Sequence, residues 1–256
     1  MARRKLMRYR VDMHSHEILS DVVAEQVRAH RTRLGLNREQ LAEECARIGA
    51  PELTYAAITN IETGRRDKDG KRRREVTVDE LMTFAYALGV PPLLLMLPLG
   101  SMDRVPSPAK WGGLHPHYAW QWVTGEEPPA FRDERGRTVV DSSGIGGEEG
   151  PNRTGVWRQV AVPTEVYRSL QATQAALRHA SGQLHFAQAR HGEDADATRK
   201  ARGAYLDRLQ EFAVVLNEMT DLGLNIPACD ARWVDDMRQF DMLKRPEAVQ
   251  ILDTKD

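Results

Sequence analysis

Thr54-Tyr-Ala-Ala-Ile-Thr-Asn-Ile-Glu-Thr-Gly64 decides how the rest of the chain is read. Thr54 is an N-cap residue and Gly64 a C-terminal stop, so one short helix lies between them. Ala57, Ile58 and Ile61 fall on its inward side, with Tyr55, Ala56, Thr59 and Asn60 opposite. Upstream, Asn37-Arg-Glu-Gln40 reads as a capping box, and Leu41, Ala42, Cys45 and Ile48 form the buried side of a helix that Gly49-Ala-Pro51 stops. Before it, Val23, Val27, Arg31 and Leu34 share one face of a helix ended by Gly35. Downstream, Arg65-Arg-Asp-Lys-Asp-Gly-Lys-Arg-Arg-Arg74 is a basic hairpin turning at Asp69-Gly70. Leu81, Phe84, Ala85 and Leu88 then line a fourth helix, and a short apolar turn to about Leu97 closes the unit. The expected domain is a five-helix one over 19–98, preceded by a basic arm over 1–18.

Residues 99–156 carry ten glycines and six prolines, a density that suits irregular connection rather than a core. Trp111, Tyr118, Trp120 and Trp122 cluster there, so 99–160 reads as a linker in which 111–126 docks on a neighbour and 127–156 is mobile. From Thr164, taken as a cap, Val166, Leu170, Thr173, Leu177, Ala180, Leu184 and Ala187 follow a 4-3-4-3 spacing. After Gly192, Thr198, Arg202, Tyr205, Leu209, Phe212, Leu216 and Met219 repeat the rhythm. Residues 161–256 therefore form a long antiparallel helical hairpin whose seams need a cover. The candidates are a last helix with Trp233, Val234, Met237 and Phe240, or a second subunit gripping Leu170, Leu177, Leu184, Leu209, Phe212 and Leu216. The fold class is all-α.

The 36 Lys/Arg nearly balance the 37 Asp/Glu, which excludes indiscriminate sticking to nucleic acid. The balance is uneven: residues 1–98 hold 17 Lys/Arg against 14 Asp/Glu, and 12 of those cations lie in the arm and the hairpin loop. The two cysteines, Cys45 and Cys229, match no zinc spacing and read as buried thiols of a reducing cytoplasm. The most apolar run, 89–98, is too short and too proline-broken to span a membrane, and the basic start lacks the apolar stretch of a signal peptide.

Arg31-Thr-Arg-Leu-Gly-Leu-Asn37, Gln40-Leu-Ala42, Ile58-Thr-Asn-Ile-Glu-Thr-Gly64 and Leu81 through Ala87-Leu-Gly-Val90, in this order and spacing, resemble the Xre/Cro-type helix-turn-helix regulators over residues 20–97. The long turn after Ile48, the basic hairpin and Trp122-Val-Thr-Gly-Glu126 look like the actinobacterial branch of that family. The resemblance implies a DNA-binding regulator and a buried salt bridge between Arg31 and Glu62. The family usually has Gln where Arg38 stands, so a Gln-specific base contact does not transfer.

A major groove admits one α-helix, and Tyr55, Ala56, Thr59 and Asn60 have the small or polar chemistry to meet base edges from helix 54–63. Asn60 suits bidentate pairing with adenine, and Ala56 a thymine methyl. Asn37, Arg38 and Thr54 at helix starts, with Arg65, Arg66, Lys71, Arg72, Arg73 and Arg74 in the hairpin, are the expected phosphate contacts. The arm cations Arg3, Arg4, Lys5, Arg8 and Arg10 track the backbone or form a simple tail.

No enzymatic constellation stands beside this. Gly100-Ser-Met102 lacks the lysine of a serine/lysine self-protease, Gly144-Ile-Gly-Gly147 lacks a nucleotide loop's third glycine, and the pairs His14/His16 and His115/His117 lack a third metal ligand. The expectation is a cytoplasmic, nucleoid-associated transcription regulator, a repressor, without cofactor. It binds a near-palindromic operator as a homodimer through its C-terminal helices, and a protein partner or small-molecule effector acts at the middle or C-terminal region. The competing expectation is an antitoxin-like or adaptor protein whose hairpin grips another protein while the first domain localises it on DNA.

Overall fold

The computed structural model describes residues 18–70, 72–106 and 114–252. The basic arm up to residue 17, Lys71 and Trp111 lie outside the described residues. The protein is mostly helical: α1 (Leu19–Arg33), α2 (Arg38–Arg47), α3 (Tyr55–Thr63), α4 (Val78–Leu88), α5 (Pro92–Met96), α6 (Pro116–Val123), then strands β1 (Ala130–Arg132) and β2 (Thr138–Val140), then α7 (Arg153–His191), α8 (Asp196–Asp221) and α9 (Ala231–Gln239). The chain divides into two compact units between Val156 and Trp157, within the first turns of α7.

In the first unit, caps set the helix boundaries. The Asn37 side chain accepts from Gln40 N–H at 2.8 Å while Gln40 Oε1 accepts from Asn37 N–H at 2.8 Å, and Thr77 with Glu80 repeats this box at the start of α4. Gly64 and Gly89, both left-handed, end α3 and α4. Helix α1 packs on α3, α4 and α5, and α2 packs on α3 and α4. Their shared core is Val27, Leu41, Cys45, Ile58, Ile61 and Phe84, all fully buried. Removing each such large apolar side chain from water stabilises the fold by about 1.5–3 kcal/mol. Beside it, Leu97, Val105, Leu114 and Ala119 form a smaller cluster onto which Trp120, Trp122 and Phe131 pack, so the aromatic segment is docked against the end of α5.

Two expectations for the middle of the chain change. Residues 127–156 carry regular structure: β1 pairs antiparallel with β2 in the register Ala130 to Val140, adding a small hairpin to an otherwise helical protein. A second turn closes through Gly144 and Asn152. The glycine density serves that second turn, where a Cβ on Gly144 or Gly150 would collide with backbone at 2.0 and 1.9 Å. Helix α7 begins at Arg153, not Thr164. Asn152 caps it by accepting from Gly155 N–H at 2.9 Å, and the Thr164 hydroxyl instead donates to the Ala161 carbonyl inside the helix. Pro163 lies within α7 and is carried there, removing one helix N–H.

In the second unit the hairpin seams close within one chain. Leu170, Leu177, Leu209, Phe212 and Leu216 are buried in one core with Trp233, Val234 and Met237 of α9, and Leu184 packs against it half-buried. The indole of Trp233 meets the Phe212 ring edge-on, with centroids 5.9 Å apart. Phe240, expected in the cover, is 49% exposed. Polar locks hold the cover in place: the Tyr205 hydroxyl donates to Asp236 at 2.5 Å, and Asn217 binds the backbone of both Met242 and Lys244. Leu170, Leu177, Leu209, Phe212 and Leu216 are therefore core within one chain and not an open self-association face, while Leu184 lies half-buried against that core.

Leu177→Ala, at a fully buried seam position, should destabilise the second unit by about 2–5 kcal/mol. Leu177→Asp with Leu216→Asp should abolish that unit's thermal transition, followed by circular dichroism, while the transition of residues before 157 persists. An intact second transition with a changed oligomeric state would mean that the seam pairs between chains instead.

Candidate nucleic-acid interface

The site is built around the carboxylate of Glu62, whose side chain is fully buried at the end of α3. Arg31 of α1 donates to it through Nε at 2.7 Å and through a second nitrogen at 2.9 Å, and Arg38 of α2 donates through Nε at 2.7 Å. Arg31 also donates to the Leu36 carbonyl at 2.7 Å. One acid thus joins three helices and fixes the rotation of α3 about its axis. Burial pushes the Glu62 carboxyl up, but the hydrogen bonds from Arg31 and Arg38 outweigh it and leave the pKa below its ordinary value. The Arg31 guanidinium is shifted up, chiefly by its bond to Glu62.

With Ala57, Ile58, Ile61 and Glu62 turned inward, α3 presents Tyr55, Ala56 and Asn60 to solvent. Tyr55 is 54% exposed. Thr59 is half-buried and its hydroxyl oxygen is shielded without a partner. Thr54 accepts from Ala57 N–H at 3.2 Å, capping the helix. Asn37 spends its side-chain oxygen on the α2 cap, and Arg38, with its side chain 27% exposed, is tied to Glu62.

The basic hairpin after Gly64 sorts into two kinds of cation. Arg72 was expected at phosphate, but its side chain is only 2% exposed. It donates to Asp21 at 2.7 Å, to the Arg74 carbonyl at 2.6 Å and to the Ile61 carbonyl at the end of α3. It therefore leaves the set of phosphate contacts: a guanidinium buried inside the fold and bound there through all three of its nitrogens cannot reach an external anion. Gly64 makes this possible, since its left-handed φ of +58° suits glycine, and a Cβ there would stand 2.9 Å from an Arg72 nitrogen. Arg66 donates to Asp21 at 3.2 Å and to the Gly70 carbonyl at 2.9 Å. Arg74 pairs with Glu80, the acid that also closes the α4 capping box. Arg65 and Arg73 are exposed, and their backbones pair through Arg73 N–H to the Arg65 carbonyl at 2.9 Å, so the two stand together beside the end of α3.

Asp21 is a structural support of this loop that the helix and charge patterns of the sequence do not single out. It sits buried in the first turn of α1 and anchors both Arg66 and Arg72. The available signal is a carboxylate on the buried row of α1, at three-residue steps from Ala24 and Val27, in a chain that also carries an arginine-rich loop. Among the described residues no group of His, Cys, Asp and Glu could hold a metal ion, and no helix is long and apolar enough to cross a membrane. The thiols of Cys45 and Cys229 are each pushed up to about 11, mainly by burial, which keeps them protonated and inert.

No protein-family model matches the chain, and no curated protein matches it. Among solved structures, the apo form of ComR from S. thermophilus is similar at a TM-score of 0.23 and 13% identity, over 86% of this chain and 63% of that one. So slight a likeness carries no argument.

The depressed Glu62 pKa fixes a pH dependence. The ion pairs contribute fully above the unfolded carboxyl's ordinary value of 4.5 and are lost as pH falls through the lower folded value. The first unit's thermal midpoint should therefore decline on acidification below about pH 4.5, and Glu62→Gln should flatten that decline. Arg31→Met should cost on the order of 3 kcal/mol by leaving the buried acid short of a partner.

Proposed function

We infer that the protein is a sequence-specific DNA-binding transcription regulator of the helix-turn-helix type, in which α2 and α3 form the motif and α3 enters the major groove. The observation that supports this best is the rotation of α3. Its end is clamped inward through Glu62, while Tyr55, Ala56 and Asn60 face solvent beside exposed Arg65 and Arg73. That is a base-reading face with cations at its margin for the phosphate backbone. Asn37 and Arg38 sit at the start of α2, where the capping box leaves the Arg38 and Glu39 backbone N–H groups over and the helix dipole favours a phosphate. The protein acts as a repressor, working as a homodimer on a near-palindromic operator with half-sites about 34 Å apart. The middle segment and the C-terminal hairpin serve regulation.

Selection of bound duplexes from a random library by the full-length protein should enrich one sequence. Asn60→Ala should weaken binding by about 1–3 kcal/mol on that sequence alone and relax preference at one base position. Replacing Arg65 and Arg73 by Gln should weaken binding to all duplexes and reduce the slope of log K against log salt by about 1 per lost contact. A library that enriches nothing would refute sequence reading, and an unchanged salt slope would remove these arginines from the phosphate set.

A further inference from the structure

Helix α4 buries Leu81, Phe84, Ala85 and Leu88 on one side and leaves a second apolar row uncovered. Val78, Met82 and Tyr86, four residues apart and so on one face, are 74, 53 and 76% exposed. The row borders an open groove of about 1100 Å³ lined by Arg47, Ile48, Met82, Tyr86, Pro91 and Pro92. Contiguous exposed apolar surface of this kind marks an interaction site more often than a chance cluster of single residues does. Its rim is charged asymmetrically. Glu75 and Asp79 stand exposed at the N-terminal end of the row, and Arg47 stands by Tyr86 at the other end. Among the described residues the Arg47 guanidinium is held by Glu44, three residues away, through two hydrogen bonds of 2.8 and 2.5 Å. The Arg47 side chain is nonetheless 70% exposed, and the N–H donors that this fork does not use stay open to a second acid.

We propose that the Val78–Met82–Tyr86 face of α4 is where two copies of this chain meet, antiparallel about a two-fold axis through Met82. An isologous contact requires a surface complementary to itself. About that axis Val78 meets the partner's Tyr86, Met82 meets the partner's Met82, and the acidic end with Glu75 and Asp79 falls against the partner's Arg47. The opposite pairing of the helices would set acid against acid. The inference rests on the proposal of a dimeric regulator and supplies the surface that the closed C-terminal seam does not. Three side chains cover less than the ~800 Å² per partner typical of stable complexes. The free dimer is accordingly weak, and two adjoining half-sites on DNA hold it together.

The test is disulfide trapping in the full-length protein without DNA. The native thiols are buried, and oxidised wild-type protein gives the background. Met82→Cys should form a disulfide-linked homodimer about tenfold or more faster than Phe186→Cys, an equally exposed control in the second unit, because paired thiols share a high effective concentration. Adding Asp79→Arg should slow trapping, and adding Arg47→Glu to that variant should restore it. Val78→Cys with Tyr86→Cys is the second variant, expected to trap through two crossed disulfides. Each variant's thermal midpoint is compared with wild type, and only folded variants are scored. Trapping no faster than the control, or unaffected by Asp79→Arg, overturns the interface. Sequence-selective DNA binding measured on the same proteins then stands or falls separately.

Discussion

A carboxylate removed from water inside a helical unit must be met by donors, and at Glu62 the donors come from two other helices. The cost of burying that charge makes the arrangement specific: without Arg31 or Arg38 in place, the acid has lost hydration and gained too little in return. Hydrophobic burial of Ile58 and Ile61 alone would hold α3 against the core but would tolerate small rotations and slides. The bidentate bond from Arg31 removes that freedom. The solvent face of α3 is therefore an indirect product of what happens on its opposite side.

The same logic extends to the loop behind α3. Gly64 turns the chain in a left-handed conformation, and the space where its Cβ would be admits the Arg72 guanidinium. Arg72 in turn joins the end of α3 to Asp21 at the start of α1. Within a charge run that looks like one surface feature, Arg72 is thus internal scaffolding, with Arg66 and Arg74 tied to acids beside it. The exposed Arg65 and Arg73 are placed by that scaffolding beside the solvent face of α3. Net charge, near zero for the chain, says nothing of this division.

Much of the first unit was legible because its signals are local. Asn37 with Gln40, Thr54 and Gly64 mark helix ends through hydrogen bonds spanning three residues, and the spacing of Leu81, Phe84 and Leu88 names the inward face of α4. Arg72 and Asp21 were not legible in the same way, since their pairing spans 51 residues and nothing in an arginine run says which member turns inward. In the second unit the seam residues were visible from their spacing, whereas the choice between an intrachain and an interchain cover depended on α9 reaching Phe212 and Tyr205. The start of α7 was misplaced because Thr164 offers a plausible cap and Pro163 a plausible break. The helix runs through both once Asn152 has capped it.

In the function proposed for this protein, the rotation of α3 makes it the element that reads DNA. Amide chemical-shift mapping of the full-length protein, titrated with a selected duplex, tests it most directly. The largest shifts should fall on Tyr55, Ala56 and Asn60 and on the backbone around Asn37, Arg65 and Arg73, with the α7–α9 core little changed. Shifts confined to the second unit, or spread evenly with none on α3, would contradict it.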